Sequence, residues 1–146
     1  TINSKKYEEK ILSIDPNIEV YSKTCPLFVP IIEEGWYDNE VANLTCEIYL
    51  KELLEKNIDT LLLGCTHYPI LKNSIIKVCP NLQIVNPAEA IAMDIKNYFT
   101  KKEYLNNNLE EKHEFYVSGN TDKFDKICEN ILNKNFKSQK IDIEQY

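Results

Sequence analysis

Apolar positions along this chain recur at intervals that switch between helical and strand spacing. Residues 4–14 place Tyr7, Ile11 and Ile14 three and four apart, which predicts a short amphipathic helix ending before Asp15-Pro16-Asn17, since a proline disfavours helical geometry in the residue before it. Residues 18–22 alternate apolar and polar side chains and read as a half-buried strand. The block 25–36 carries Pro26, Pro30 and Gly35 and reads as a structured loop, tied to the core by Leu27, Phe28, Val29, Ile31 and Ile32, with Trp36 packing beside them. Residues 39–56 form the longest predicted helix, with Val41, Leu44, Ile48, Leu50, Leu53 and Leu54 on its apolar stripe and Asn57 as its cap.

The run 58–63 has almost no polar alternation, which suits a central strand covered on both faces. It breaks at Gly64, and helical spacing resumes over 69–78 with Ile70, Leu71, Ile75 and Val78 on the buried side. Residues 83–86 read as a short strand entering a turn at Pro87. A helix follows, with Ala88, Ile91, Ala92, Ile95 and Phe99 in register and Lys101-Lys102 at its C-terminal end, where cations are favoured. The polar stretch 105–112 reads as a flexible loop, 114–120 as a strand and turn, 124–132 as a last helix and 140–144 as an edge strand. Strands and helices alternate throughout, so the fold class is α/β with a largely parallel sheet.

Composition narrows the classes of function. At 146 residues the chain suffices for one or two small domains, and its 43% hydrophobic and 27% charged residues are ordinary for a soluble globular protein. A net charge of -6 with no arginine argues against nucleic acid as a partner, because phosphate neutralisation needs clustered Lys and Arg. The interrupted basic stretch from Lys134 to Lys140 reads as a solvated end. Five cysteines without CxxC spacing, and no signal or membrane-spanning segment, fit a reducing cytoplasm. Cys46 and Cys79 fall at core positions.

Cys65 is different, because it follows a strand and precedes a helix. Ligands bind at the C-terminal edge of the strands in open α/β sheets, and a helix beginning at Pro69 aims its N-terminal dipole at the turn. That field favours a thiolate, making Cys65 a candidate nucleophile or proton-transfer base, with His67 two residues away as a partner acid. A metal site is disfavoured, since Cys65 and His67 supply two ligands without a second pair at finger-like spacing. A cysteine hydrolase is disfavoured too: Cys65 and His67 on one turn need not face each other, and His113 lies in a polar, solvent-exposed stretch. Gly64 alone is no phosphate loop.

The string Asp59-Thr60-Leu61-Leu62-Leu63-Gly64-Cys65-Thr66-His67-Tyr68-Pro69-Ile70-Leu71 closely resembles the second-cysteine motif of glutamate racemases. The block from Thr24 to Trp36 resembles another segment of that family at family-like spacing. The resemblance implies two similar α/β domains with the active site between them. Residues 1–86 would be most of the second domain, a parallel-sheet three-layer unit, and 87–146 the part of the chain that returns to the first. With Thr1 in place of an initiator Met, the chain would be the C-terminal portion of a longer racemase, whose N-terminal half carries the other catalytic cysteine and is its partner. Homodimerisation varies in the family.

The implied reaction moves the α-proton of glutamate from one face to the other between two thiols, without pyridoxal phosphate or metal, supplying D-glutamate for peptidoglycan. Cys65 would serve one face, and His67 would assist proton transfer. The family places an amine-binding or acid/base carboxylate at the Glu33-Glu34 pair; counting from Cys65 favours Glu33, with Glu34 adjacent, although such a pair read alone is equally a solvated surface feature. Thr66 and His67 would hold the substrate carboxylates, and Thr1 resembles a threonine that contacts substrate. Aspartate racemases share the fold and chemistry, and the ending Thr66-His67-Tyr68-Pro69 tilts the resemblance toward glutamate. A different class stays open: a stand-alone module of the same fold that binds an acidic amino acid without turnover.

Overall fold

A computed structural model of the chain describes residues 2–106, 113–132 and 134–145, with the side chain of residue 145 left aside. Thr1 and most of the predicted loop 105–112 fall outside the described residues. The chain divides into two units, Thr1–Asn86 and Pro87–Tyr146.

In the first unit a single 3-10 turn, Ile2–Ser4, leads into α1 (Lys6–Ile14), which ends at Asp15 as the following proline requires. Residues 18–22 carry no strand pairing, contrary to their alternation. Alternation sets which face of an extended chain is apolar, but a strand also needs a neighbour to receive its backbone groups, and none is paired with this segment. The block 25–36 is more regular than its prolines suggest, because it contains α2 (Phe28–Glu33). Pro30 sits in the first turn of that helix, where its lack of an N–H costs nothing. Phe28, Ile31 and Ile32 are buried, whereas Trp36 is 53% exposed and does not pack as expected.

The longest helix of this unit is α3 (Glu40–Leu54), capped by Asn39, whose side-chain oxygen accepts the Ala42 N–H at 3.0 Å. Its end is marked by Asn57, at a left-handed φ of 55°, two residues past the cap. β1 (Thr60–Leu62) pairs in parallel with β2 (Gln83–Val85), Leu61 opposite Ile84. Between them a 3-10 turn, Tyr68–Leu71, runs into α4 (Lys72–Val78), so helical structure opens one residue before Pro69 in a tighter form than expected. Leu61 and Leu63 are buried but Leu62 is 36% exposed, so β1 is covered on one face rather than two.

The core of this unit joins Phe28 and Ile32 of α2, Ala42, Cys46 and Leu50 of α3, and Leu71 and Ile75 around α4. Ser74 is buried among them because its hydroxyl donates to the Tyr37 carbonyl at 3.1 Å. Cys25, Cys46 and Cys79 are buried free thiols. Burial pushes the Cys25 thiol up to about 11 and the Cys46 thiol up to about 12.

The second unit starts with α5 (Pro87–Lys101), whose apolar residues keep the expected spacing yet include no buried side chain. β3 (Phe115–Val117) pairs in parallel with β4 (Ser138–Lys140), with α6 (Thr121–Leu132) as the crossover. The last strand thus forms a few residues before the predicted 140–144. Two acceptors on one face of α6 explain the shift: Asp125 accepts the Ser138 N–H at 3.0 Å and Glu129 the Phe136 N–H at 3.3 Å. Phe136 is buried between Phe115 and Phe124, with ring centroids 4.1 and 5.6 Å away.

Two measurements check this packing. Ile75→Ala is expected to lower stability by about 2–5 kcal/mol, as for a buried aliphatic truncated to a cavity, whereas Asn39→Ala loses one cap and about 1 kcal/mol; urea unfolding of both variants separates core from cap. Thiol labelling at neutral pH is expected to modify the half-buried Cys65 and Cys128 well before Cys25, Cys46 and Cys79. The buried thiols favour the folded state fully below the unfolded thiol value of about 8.5. That contribution falls as pH rises through about 11 and about 12, the folded values of Cys25 and Cys46. The alkaline limb of a stability profile should therefore flatten in Cys46→Ala.

Candidate functional site

Two segments distant in sequence meet around Cys65. The Leu63 N–H donates to the Val85 carbonyl at 3.0 Å, extending the parallel ladder to the last residue before Gly64. Cys65 then stands on a bend just past the C-terminal end of β1, half-buried. The Tyr68 N–H closes the turn on the Cys65 carbonyl at 3.2 Å, and the Ile70 N–H closes the next on His67 at 3.0 Å. These two bonds leave Thr66 exposed at the tip and His67 half-buried behind it.

Tyr68 fastens this turn to the Cys25 block. Its hydroxyl donates to the Cys25 carbonyl at 3.4 Å, and its ring meets Phe28 edge-on with centroids 5.1 Å apart. Phe28 in turn meets Tyr49 of α3 at 5.4 Å, and the Tyr49 hydroxyl accepts the Leu27 N–H at 3.4 Å. Burial first, then the neighbouring Cys25 and Cys65, push the Tyr68 phenol above its ordinary value, so it stays a neutral donor across the physiological range. Tyr68 was not among the residues expected to matter. The signal was its position, an aromatic directly after His67 on a turn that has to be held.

The same docking brings His67 to Glu33, with Nε2 and Oε1 3.7 Å apart. That is beyond hydrogen-bond length, and the contact is an ion pair only when the imidazole is protonated. Both side chains are about one-third exposed, at 36% and 32%. Glu34, just after α2, is exposed, so of the two adjacent carboxylates it is Glu33 that faces the turn. Thr1 lies outside the described residues. Among the described residues no group of three or more His, Cys, Asp and Glu could hold a metal ion, and no helix is long and apolar enough to cross a membrane. His113 is exposed and stacks on Phe115 in the second unit, with centroids 6.1 Å apart.

A cleft of about 1130 Å³ lies beside β1 within the first unit, its lining including residues 58–65 and 17–26. Cys65 and Tyr68 are among its lining residues, while His67, Thr66 and Glu33 are not. Chemically, the turn offers a thiol, a hydroxyl and an imidazole backed by a carboxylate at the sheet edge where α/β folds bind ligands. That set can transfer protons and hold an anionic group.

No protein-family model matches the chain. Among curated relatives, the glutamate racemase of Thermoanaerobacter sp. (strain X514) is 48% identical over 148 residues, covering 100% of this chain and 56% of the relative. That of Sulfurihydrogenibium sp. (strain YO3AOP1) is 45% identical over 145 residues, covering 98% of this chain and 53% of the relative. Among solved structures, Francisella tularensis glutamate racemase in complex with D-glutamate matches with a TM-score of 0.90 at 35% identity, over 100% of this chain and 56% of that one. The RacE1 isoform from Bacillus anthracis matches at 0.88 and 31% identity, over 98% of this chain and 54% of that one. The chain thus spans about half the length of the proteins it resembles. Sequence and fold agree along the whole of it: the chain is homologous to the C-terminal part of glutamate racemases.

Proposed function

We propose that this chain is one working half of a cofactor-independent glutamate racemase, in which Cys65 removes or returns the α-proton on one face of the substrate and a thiol of an N-terminal half serves the other. The observation that carries the reading is the position of Cys65, half-buried on a braced turn at the C-terminal end of a parallel strand, on the same turn as His67, whose Nε2 lies 3.7 Å from Glu33. The D-glutamate bound to the Francisella relative supports glutamate as the substrate. By the same reading residues 1–86 are most of one racemase domain, and 87–146 return to the other.

In one direction the Cys65 thiolate takes the α-proton and becomes a thiol, and the electron pair left on the α-carbon spreads into the adjacent carboxylate. A thiol on the opposite face then gives its proton to that carbon and becomes the thiolate. The reverse direction exchanges the roles. Without a cofactor to accept the electron pair, fixed donors must stabilise the developing charge. The Thr66 hydroxyl and backbone N–H, and His67, are the donors offered to a substrate carboxylate. Glu33 orients His67, which relays protons to the thiol, while Thr1 and Glu34 border the substrate. The assembled enzyme works in the cytoplasm, as a monomer or homodimer, and makes D-glutamate for peptidoglycan. By itself the chain binds weakly and does not turn over.

The test is racemisation by the chain combined with the N-terminal half of the Thermoanaerobacter relative, followed by polarimetry. Activity is expected only with both halves present, and Cys65→Ser should reduce kcat by about 10²–10⁴-fold, the usual contribution of a positioned acid or base. His67→Asn should lower kcat more than it raises KM, and Glu33→Gln should do the same to a smaller degree. Full activity in Cys65→Ser would refute the mechanism. Binding of glutamate by the combined halves without any turnover would instead support an acidic amino-acid binding module.

A further inference from the structure

One carbonyl oxygen serves both segments of the candidate site. Cys25, buried just before α2, accepts the Phe28 N–H at 3.1 Å through its carbonyl, a bond that fixes the entry to that helix. The same oxygen accepts the Tyr68 hydroxyl at 3.4 Å. A backbone carbonyl has two lone pairs, so it can take both donors at once. From the first bond the backbone runs through α2 to Glu33, and from the second it runs back one residue to His67. Two side chains from distant parts of the chain are thus referred to one atom of a buried residue.

The pair does not fix that geometry by its own attraction. His67 Nε2 and Glu33 Oε1 are 3.7 Å apart, both side chains are about one-third open to water, and an ion pair so exposed contributes little. Its spacing therefore follows from how the two backbones are held. On one side α2 is anchored by Phe28, Ile31 and Ile32, all buried. On the other, Tyr68 opens the 3-10 turn ahead of Pro69. Three residues per turn rotate successive side chains by about 120°, so Tyr68 turns in to Phe28 while its neighbour His67 points to Glu33. Burial first, then the neighbouring Cys25 and Cys65, raise the Tyr68 phenol, which keeps its proton for the shared carbonyl.

We propose that Tyr68 is a positioning residue for the proton transfer: its hydroxyl, bonded to the Cys25 carbonyl, sets His67 against Glu33. The effect on rate rests on the racemase reading above, whereas the link between Tyr68, His67 and Glu33 is a property of this chain alone. Tyr68 acts through the turn that carries Cys65 and His67, so losing its hydroxyl slows turnover more than it weakens binding. A displacement of about 1 Å in a reacting group can cost about 10²-fold in rate. Tyr49 provides the contrast. Its ring also meets Phe28 edge-on, with centroids 5.4 Å apart, but its hydroxyl accepts the Leu27 N–H rather than donating to the shared carbonyl. The same aromatic cluster thus holds one hydroxyl that registers the turn and one that does not.

The test has two arms. In the first, the histidine ring signals of the full 146-residue chain are followed by NMR at one pH. Glu33→Gln is expected to move the His67 signals in the otherwise unmodified chain and to leave them in place when Tyr68→Phe is also present, with His113 of the second unit as the reference. In the second, the chain combined with the N-terminal half of the Thermoanaerobacter relative is followed by polarimetry. Tyr68→Phe is expected to lower kcat by about 10–10²-fold with KM little changed, whereas Tyr49→Phe keeps kcat. Continued protection of the buried Cys46 and Cys79 from thiol labelling shows that each variant is folded. Unmoved His67 signals on Glu33→Gln alone would overturn the link without any change at Tyr68, and so would equal movement in the Tyr68→Phe background. Equal loss of kcat in Tyr68→Phe and Tyr49→Phe would reduce Tyr68 to cluster packing and overturn its positioning role. If the unmodified combination does not racemise glutamate, the reading above falls and the first arm alone decides the link.

Discussion

Parallel pairing of β1 with β2 is the constraint on which the first unit depends. Parallel strands cannot be joined by a tight turn, so the chain must leave β1, cross over through α4 and come back. That crossover starts at the C-terminal end of β1, and the residues that begin it are Gly64 to Tyr68. Cys65 thus sits where the connection has to bend, on a segment whose geometry is fixed at one end by the ladder and at the other by a helix packed in the core. A side chain placed in this way is held to position by the sheet without being buried in it.

The five cysteines show what such placement changes. Cys25, Cys46 and Cys79 are enclosed by apolar side chains, and burial raises their thiols, which makes them small hydrophobes. Cys65 instead stands on a turn with partial access to solvent, a turn tied to the Cys25 carbonyl by the Tyr68 hydroxyl. Partial exposure of one thiol and packing of three others follow from backbone position. Tyr68 links the two regimes, because its ring belongs to the Phe28 cluster while its hydroxyl secures the turn to the block carrying Glu33.

Most of the helices and the strand–turn–helix around Cys65 were legible in the sequence, because periodicity and punctuation at Gly64, Pro69 and Pro87 are local signals. The two motif blocks that suggested the family also meet in space, at His67 and Glu33. What was not legible depended on partners. Residues 18–22 have the pattern of a strand but no paired neighbour, Trp36 is apolar but exposed, and the final strand is set by acceptors on α6 rather than by its own residues. The bracing role of Tyr68 was hidden for the same reason, since a contact spanning 43 residues leaves no trace in local spacing.

The central claim is that Cys65 exchanges a proton with the α-carbon of glutamate. The most direct measurement is deuterium incorporation at that carbon in deuterated water, followed by mass spectrometry on the chain combined with a racemase N-terminal half. The account requires incorporation from both enantiomers with Cys65 intact and its loss from at least one enantiomer in Cys65→Ser. Undiminished incorporation from both in that variant, or none in a complex shown to be folded and bound to glutamate, would contradict it.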